Sequence, residues 1–160
     1  MADAAAKVVH KTAPNSGRWS HIIADTVVVF EGQLAQLQAG FLNHWDETGK
    51  FLGIVIGGDD RAGDGVLTGE TSDTPPPEAR VDQSGVILMH LASVAGTPTQ
   101  AKVGDLVFSA DSDVANLTLT DTTNPPVGRM VRFRSATDVD VQLFTPGEFE
   151  AGIASGTWLV

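Results

Sequence analysis

The side chains best suited to chemistry in this sequence are its four histidines, twenty carboxylates and three tryptophans. His10, His21, His44 and His90 are scattered, without the i, i+4 pairing or clustered carboxylates that a zinc site needs. They read as isolated surface or core histidines. Asp60-Arg61-Ala62-Gly63-Asp64-Gly65 has the outline of a calcium loop, but Ala62 occupies a required ligand position and Thr71 stands where the bidentate glutamate belongs. The expectation is no metal and no cofactor.

Motifs for covalent or phosphate chemistry are also missing. There is no Gly-x-Ser-x-Gly elbow, no Gly-Lys-Ser/Thr phosphate loop and no dinucleotide fingerprint, and Gly57-Gly58 runs into Asp59-Asp60, which would repel phosphate. A glycosidase pair could be drawn from twenty acids by chance, but one sequence does not give their separation, and a solvated acidic surface is the simpler reading. Asn116-Leu117-Thr118 matches a glycosylation sequon, but its threonine is better explained as a strand residue. No catalytic residue is assigned, and the chain is read as a non-enzyme.

Trp19, Trp45 and Trp158 each lie near an arm, a turn or a terminus. Such residues either anchor a core or dock on another subunit. The ending Gly156-Thr157-Trp158-Leu159-Val160 fits a strand added to a neighbour's edge, with Trp158, Leu159 and Val160 as the subunit contact. A competing reading makes the chain a carbohydrate- or receptor-binding β module, with Trp45 and the acidic loops as its site.

Composition narrows the partners. The chain has 160 residues and no cysteine, so disulfides and thiolate chemistry are excluded and folding must rest on burial, of which one domain this long is capable. Twenty acids against ten Lys and Arg give a net charge of −10, which argues against nucleic acid. Residues 46–83 hold nine acids and three bases, whereas residues 1–20 hold Lys7, Lys11 and Arg18 against Asp3. With no secretion signal and no apolar run long enough to span a bilayer, a soluble protein made in a host cytoplasm is expected, away from membranes.

The elements that must position these groups are short. Seventeen glycines and eight prolines cut the chain into pieces rich in Val, Ile, Leu, Thr and Phe, the pattern of many short strands. Strands are expected at 22–30, 33–38, 51–56, 80–83, 86–91, 105–109, 116–120, 129–134 and 139–144. Val139, Val141 and Leu143 share one face by period-2 geometry, and the strand they form should pair with Met130–Arg134 across the short loop Ser135–Asp138. Residues 85–95 fit a buried strand or a short helix, with strand preferred for the first half. Residues 57–65 and 71–78 read as charged loops, and Pro75-Pro76-Pro77 makes the second stiff and unable to form a central strand.

The chain also echoes itself. Gly32-Gln33-Leu34-Ala35-Gln36-Leu37 is answered by Gly104-Asp105-Leu106-Val107-Phe108-Ser109, and Leu52-Gly53-Ile54-Val55-Ile56 by Val127-Gly128-Arg129-Met130-Val131, at glycine separations of 21 and 24 residues. Either a unit is repeated, with a glycine opening one strand and another glycine letting a later strand bend against it, or Gly-polar-apolar strings are recurring as they do in any glycine-rich β protein.

On these residues the sequence resembles the head decoration, or cement, proteins of tailed bacteriophages. The resemblance lies in Lys102-Val103-Gly104-Asp105-Leu106-Val107-Phe108, the Thr-rich Leu117–Thr120 and Val127-Gly128-Arg129-Met130-Val131, with Phe30–Leu34 and Gly53–Val55 as the other half. It implies a β-rich body, often a homotrimer, on the outer capsid surface of the virion, binding the major capsid protein and tying its subunits together. It implies no catalytic residues. The long acidic insertion at 57–79 and the tail Gly147–Val160 depart from the simplest members.

The expected architecture is therefore mainly β, a small barrel or sandwich of short antiparallel strands. It comprises an N-terminal arm at 1–20, a body at 21–146 with the projecting acidic loop 57–79, and a tail or added strand at 147–160. Lys7, Val8, Val9, His10, Lys11, Arg18 and Trp19 are the expected capsid contacts of the arm. Another virion subunit, of tail or spike, is the nearest competing role.

Overall fold

The computed structural model describes residues 18–83, 86–90, 96–109, 111–113, 117–119 and 125–156. The protein is mainly β, built from two five-stranded antiparallel sheets. The strands are β1 (Arg18–Ile22), β2 (Val28–Phe30), β3 (Leu34–Gln38), β4 (Phe41–His44), β5 (Lys50–Gly58), β6 (Val66–Thr68), β7 (Glu78–Asp82), β8 (Val86–His90), β9 (Leu106–Ser109), β10 (Leu117–Thr118), β11 (Pro126–Phe133) and β12 (Asp138–Leu143). A 3-10 turn spans Gln100–Lys102, and helix α1 spans Pro146–Ser155.

The first sheet runs β1-β7-β5-β3-β4 and the second β8-β12-β11-β9-β10, while β2 and β6 form a separate ribbon. Without that ribbon the two orders are the same topology used twice, and the registers match residue for residue. Ala35 of β3 faces Gly53 of β5, as Val107 of β9 faces Gly128 of β11. The Gly32 amide donates to the Val55 carbonyl at 2.8 Å, and the Gly104 amide to the Met130 carbonyl at 2.8 Å. Val55 donates back to Gln33 at 2.8 Å, and Met130 to Asp105 at 3.0 Å. Each long strand slips register at the same place, between Val55 and Gly57 and between Met130 and Arg132. A bulge conserved between two halves of one chain is difficult to explain by recurring composition. The internal echo is a repeated structural unit.

Gly32 and Gly104 serve the same purpose in each unit. Both have positive φ, +91° and +102°, a region that costs an L side chain energy and turns the chain into the next strand.

The first sheet curls into a half-barrel. Ile23, just beyond β1, makes a parallel bridge with Leu42 of β4, and the Ala24 amide donates to the Leu42 carbonyl at 2.9 Å. Inside it lie Ile23, Ala35, Leu42, Leu52, Val55, Ala79 and Val81, with Val29 and Leu67 of the ribbon packed into the same cluster. A second core contains Val107, Leu117, Val127, Met130, Val139, Val141 and Leu143 of the second unit, together with Leu34, Trp45 and Phe51 of the first. Successive residues of a strand face opposite ways, so Leu34 and Phe51 serve one core while Ala35 and Leu52 serve the other. Strands β3 and β5 are thus buried on both faces, which is why Phe51–Val55 reads as a nearly unbroken apolar run.

Several expected boundaries move. The described body reaches back at least to Arg18, inside the span expected for the arm, because β1 pairs Arg18–Ile22 with Glu78–Asp82. The single strand expected at 22–30 is divided between β1 and β2 by a turn in which Thr26 has φ +62°. Strands β4 and β6 fall outside the expected set. Residues 57–58 belong to β5, and Val66–Thr68 inside the expected loop 57–79 pairs with β2. Part of the expected tail or added strand is a helix. Thr145 caps it by accepting the Glu148 amide at 3.2 Å, Pro146 opens it, and Gly156 ends it at φ +70°.

Candidate functional site

Residues 1–17 lie outside the described residues, and with them Lys7, Val8, Val9, His10 and Lys11. Arg18 and Trp19 are placed on β1, where Arg18 is opposite Asp82 and Trp19 opposite Val81. Trp19 is 43% exposed although it sits in a fully paired stretch of strand. The bridge from Ile23 to Leu42 brings the next residue back on each strand, Ile22 and Phe41, alongside each other, three positions from Trp19. Phe41 is exposed, as are Val28 and Phe30 of β2, which packs beside β4. Trp19 lies directly opposite the buried Val81 and so shares its face of the sheet, whereas Phe41 precedes the buried Leu42 and points the other way, so the two exposed aromatics sit on opposite faces near the closing seam.

Trp45 has the opposite fate. It is completely buried, donates its indole Nε1–H to the Ser109 carbonyl at 2.7 Å, and meets Phe51 and Phe149 edge-on at 5.3 and 5.8 Å. It cannot contribute to a surface sugar site, so the binding module built on Trp45 and the acidic loops is corrected on that point. Trp158, Leu159 and Val160 lie outside the described residues.

The acidic loops brace themselves. Asp60 accepts the amides of Gly63, Asp64 and Gly65 at 2.7, 3.2 and 2.7 Å, and the Gly65 amide is the main cause of its lowered pKa. Arg61 pairs with Asp73 and donates to the Pro75 carbonyl at 2.6 Å, tying the two halves of the acidic insertion together. Asp59 accepts the Glu78 amide at 3.0 Å. The carboxylates that suggested a cation loop therefore bond their own backbone, and among the described residues no group of three or more His, Asp or Glu could hold a metal.

Among the described residues, His21, His44 and His90 lie on three different strands. His21 is half-buried on β1 with its Nε2 3.2 Å from the Gln83 amide nitrogen, and burial lowers its pKa against the opposing pull of Glu78. His44 is exposed on β4, and His90 lies on β8. A bidentate ion pair closes the β11–β12 hairpin, where Arg134 grips Asp140 in two-pronged fashion at 2.6 and 2.8 Å. Its bonds to Arg134 hold the Asp140 carboxyl below the usual range. Sequence reasoning missed the exposed Phe41 because β4 was not recognised; the turn Ala39-Gly40 was the available signal.

Among the described residues, no helix is long and apolar enough to cross a membrane. No protein-family model, curated protein or solved structure matches this chain.

Proposed function

We propose that this chain is a non-catalytic structural protein of a tailed-phage particle, one that binds the outer surface of the assembled capsid and stabilises it by bridging major capsid subunits. The observation that carries the reading is the position of Trp19. It is an exposed aromatic on the seam strand β1, directly continuous with a basic N-terminal segment, on a body that is otherwise strongly acidic. An exposed aromatic beside a charged strap suits an anchor on another protein surface. A segment of seventeen residues can reach at most roughly 60 Å. The resemblance adds support, since its glycine-centred strings are the register-matched strands of the repeated unit. A homotrimer belongs to the same proposal.

The test is co-sedimentation of purified protein with shells of the major capsid protein from the same genome. Full-length protein should pellet with shells. A variant lacking residues 1–17 should stay folded, because β1 is retained, yet remain in the supernatant. Trp19→Ala should weaken binding at nearly unchanged stability. Full-length protein that never pellets contradicts the function, whereas binding by the truncated form contradicts only the role of residues 1–17.

A further inference from the structure

The β2–β6 ribbon turns one face to the core and the other to solvent. Val29 and Leu67 lie opposite each other across it and are buried in the core of the first sheet. Alternation sends their neighbours the other way, where Phe30 lies opposite Val66 and Val28 opposite Thr68. Phe30 is 44% exposed and Val28 39%, with Val66 half-buried beside them. Single exposed apolar residues are ordinary on a protein surface, but two adjoining cross-strand pairs make a contiguous patch. Three residues of strand make it about 10 Å long.

Both ends of this face are acidic. At one end the Thr26 amide donates to the Gly69 carbonyl at 3.1 Å and the Thr71 amide to Asp25 at 3.4 Å, which sets Asp25 beside the stretch that carries Glu70. At the other end Glu31 follows Phe30, and Asp64 accepts the Val66 amide at 3.0 Å. Residues 24–34 and 62–79 together hold six acids and no Lys, Arg or His. Arg61 is engaged by Asp73, and Arg80 shares a small pocket with Glu31 and Asp60, where it is outnumbered. A second copy docked ribbon to ribbon would bring these carboxylates together, and phosphate on a membrane or nucleic acid would be repelled. We infer that the outer face of the ribbon docks an extended segment of another protein in which two apolar side chains at alternate positions are flanked on both sides by Lys or Arg. An apolar pair at i and i+2 packs on Val28 and Phe30, and bases at i−2 and i+4, about 20 Å apart, reach the two acidic ends. The inference rests neither on Trp19 nor on the capsid reading.

The probe is a dye-labelled Lys-Thr-Val-Thr-Phe-Thr-Lys peptide, with a counterpart carrying Glu in place of both Lys, titrated with the full chain and read by fluorescence anisotropy. The Lys peptide should bind saturably, about tenfold more tightly than the Glu peptide, and more weakly as salt is raised. Phe30→Ser should weaken that binding about tenfold, whereas Val131→Ser, at a similarly exposed valine of the second unit, should leave it unchanged. Thermal unfolding checks that each variant is folded, and Glu31→Lys, at an exposed turn residue, is a second variant that should also weaken the Lys peptide about tenfold. Absence of saturable binding overturns the inference, as does equal affinity for the two peptides or an equal loss in Val131→Ser. If Phe30→Ser dissociates an oligomer in sedimentation and leaves peptide binding untouched, the face belongs to a second copy and the inference is likewise overturned.

Discussion

Gly53 and Gly128 occupy the same position in the two units: a Cβ added to Gly53 would lie 2.1 Å from the Asp82 carbonyl oxygen, and one added to Gly128 would lie 2.4 Å from that of Gln142. Asp82 on β7 and Gln142 on β12 are themselves equivalent, since each faces the residue that follows its glycine. Neither contact can be relieved by a side-chain rotation, because backbone meets backbone.

Alanine at either glycine should therefore destabilise the protein. Gly53→Ala also forces a side chain into φ +143° and should cost roughly 2–3 kcal/mol, with Gly128→Ala costing roughly 1–3 kcal/mol. Gly147→Ala, in the first turn of α1 with nothing near the added carbon, should be neutral or stabilise by up to about 0.5 kcal/mol. Urea unfolding of the three variants measures the difference. Equal stability of all three would contradict the assigned register.

Trp45 joins the two units, and its removal should be felt by both. Trp45→Ala should cost about 3–5 kcal/mol by opening a cavity against Phe51 and Phe149. Trp45→Phe keeps most of the volume but leaves the Ser109 carbonyl without its partner, for about 1–3 kcal/mol. Thermal unfolding with probes in each sheet should show the two units still melting together.

Much of this was legible beforehand. Strict alternation announced the β12 strand, whose Val139, Val141 and Leu143 are buried, and the short polar loop announced its pairing with β11. The repeat was visible because its glycines are dictated by backbone geometry, which few other residues tolerate. Strand β4 was not visible, because its two-residue turn uses Ala39 at φ +50° before Gly40, where an Asn-Gly pair is the familiar signal. Helix α1 was overlooked although Thr145 and Glu148 have capping-box spacing, since only Phe149 and Gly152 are buried along it and no apolar stripe stands out. The burial of Trp45 depends on Ser109, sixty-four residues away, which local pattern cannot reveal.

Acid should weaken the fold in two steps. Burial lowers the His21 pKa below its ordinary 6.5, so the folded state binds fewer protons than the unfolded, and stability is lost as pH falls through 6.5 toward the folded value. His21→Gln should flatten that step. The Asp140 pKa is lowered from 3.8 by Arg134, so its contribution is present above 3.8 and lost as pH falls through the folded value. Asp140→Asn should reduce the second step, to which Asp46 and Asp60 with their own lowered pKa values also contribute, and leave the first. Denaturant midpoints between pH 7 and pH 2 check both.

The acidic insertion should lose order locally when Asp60 is changed. Asp60→Ala strips three loop amides of their acceptor, so limited proteolysis should cut within residues 59–65 faster than in the parent while the core stays intact. An unchanged cleavage pattern would show that the amides do not depend on this carboxylate.

Cryo-electron microscopy of heads prepared with and without this chain tests the proposed function most directly. Decoration predicts added density on the outer shell, with a two-unit β body seated by the Trp19 end of β1 and bridging neighbouring capsid subunits. Heads with identical outer surfaces in the two preparations would contradict it.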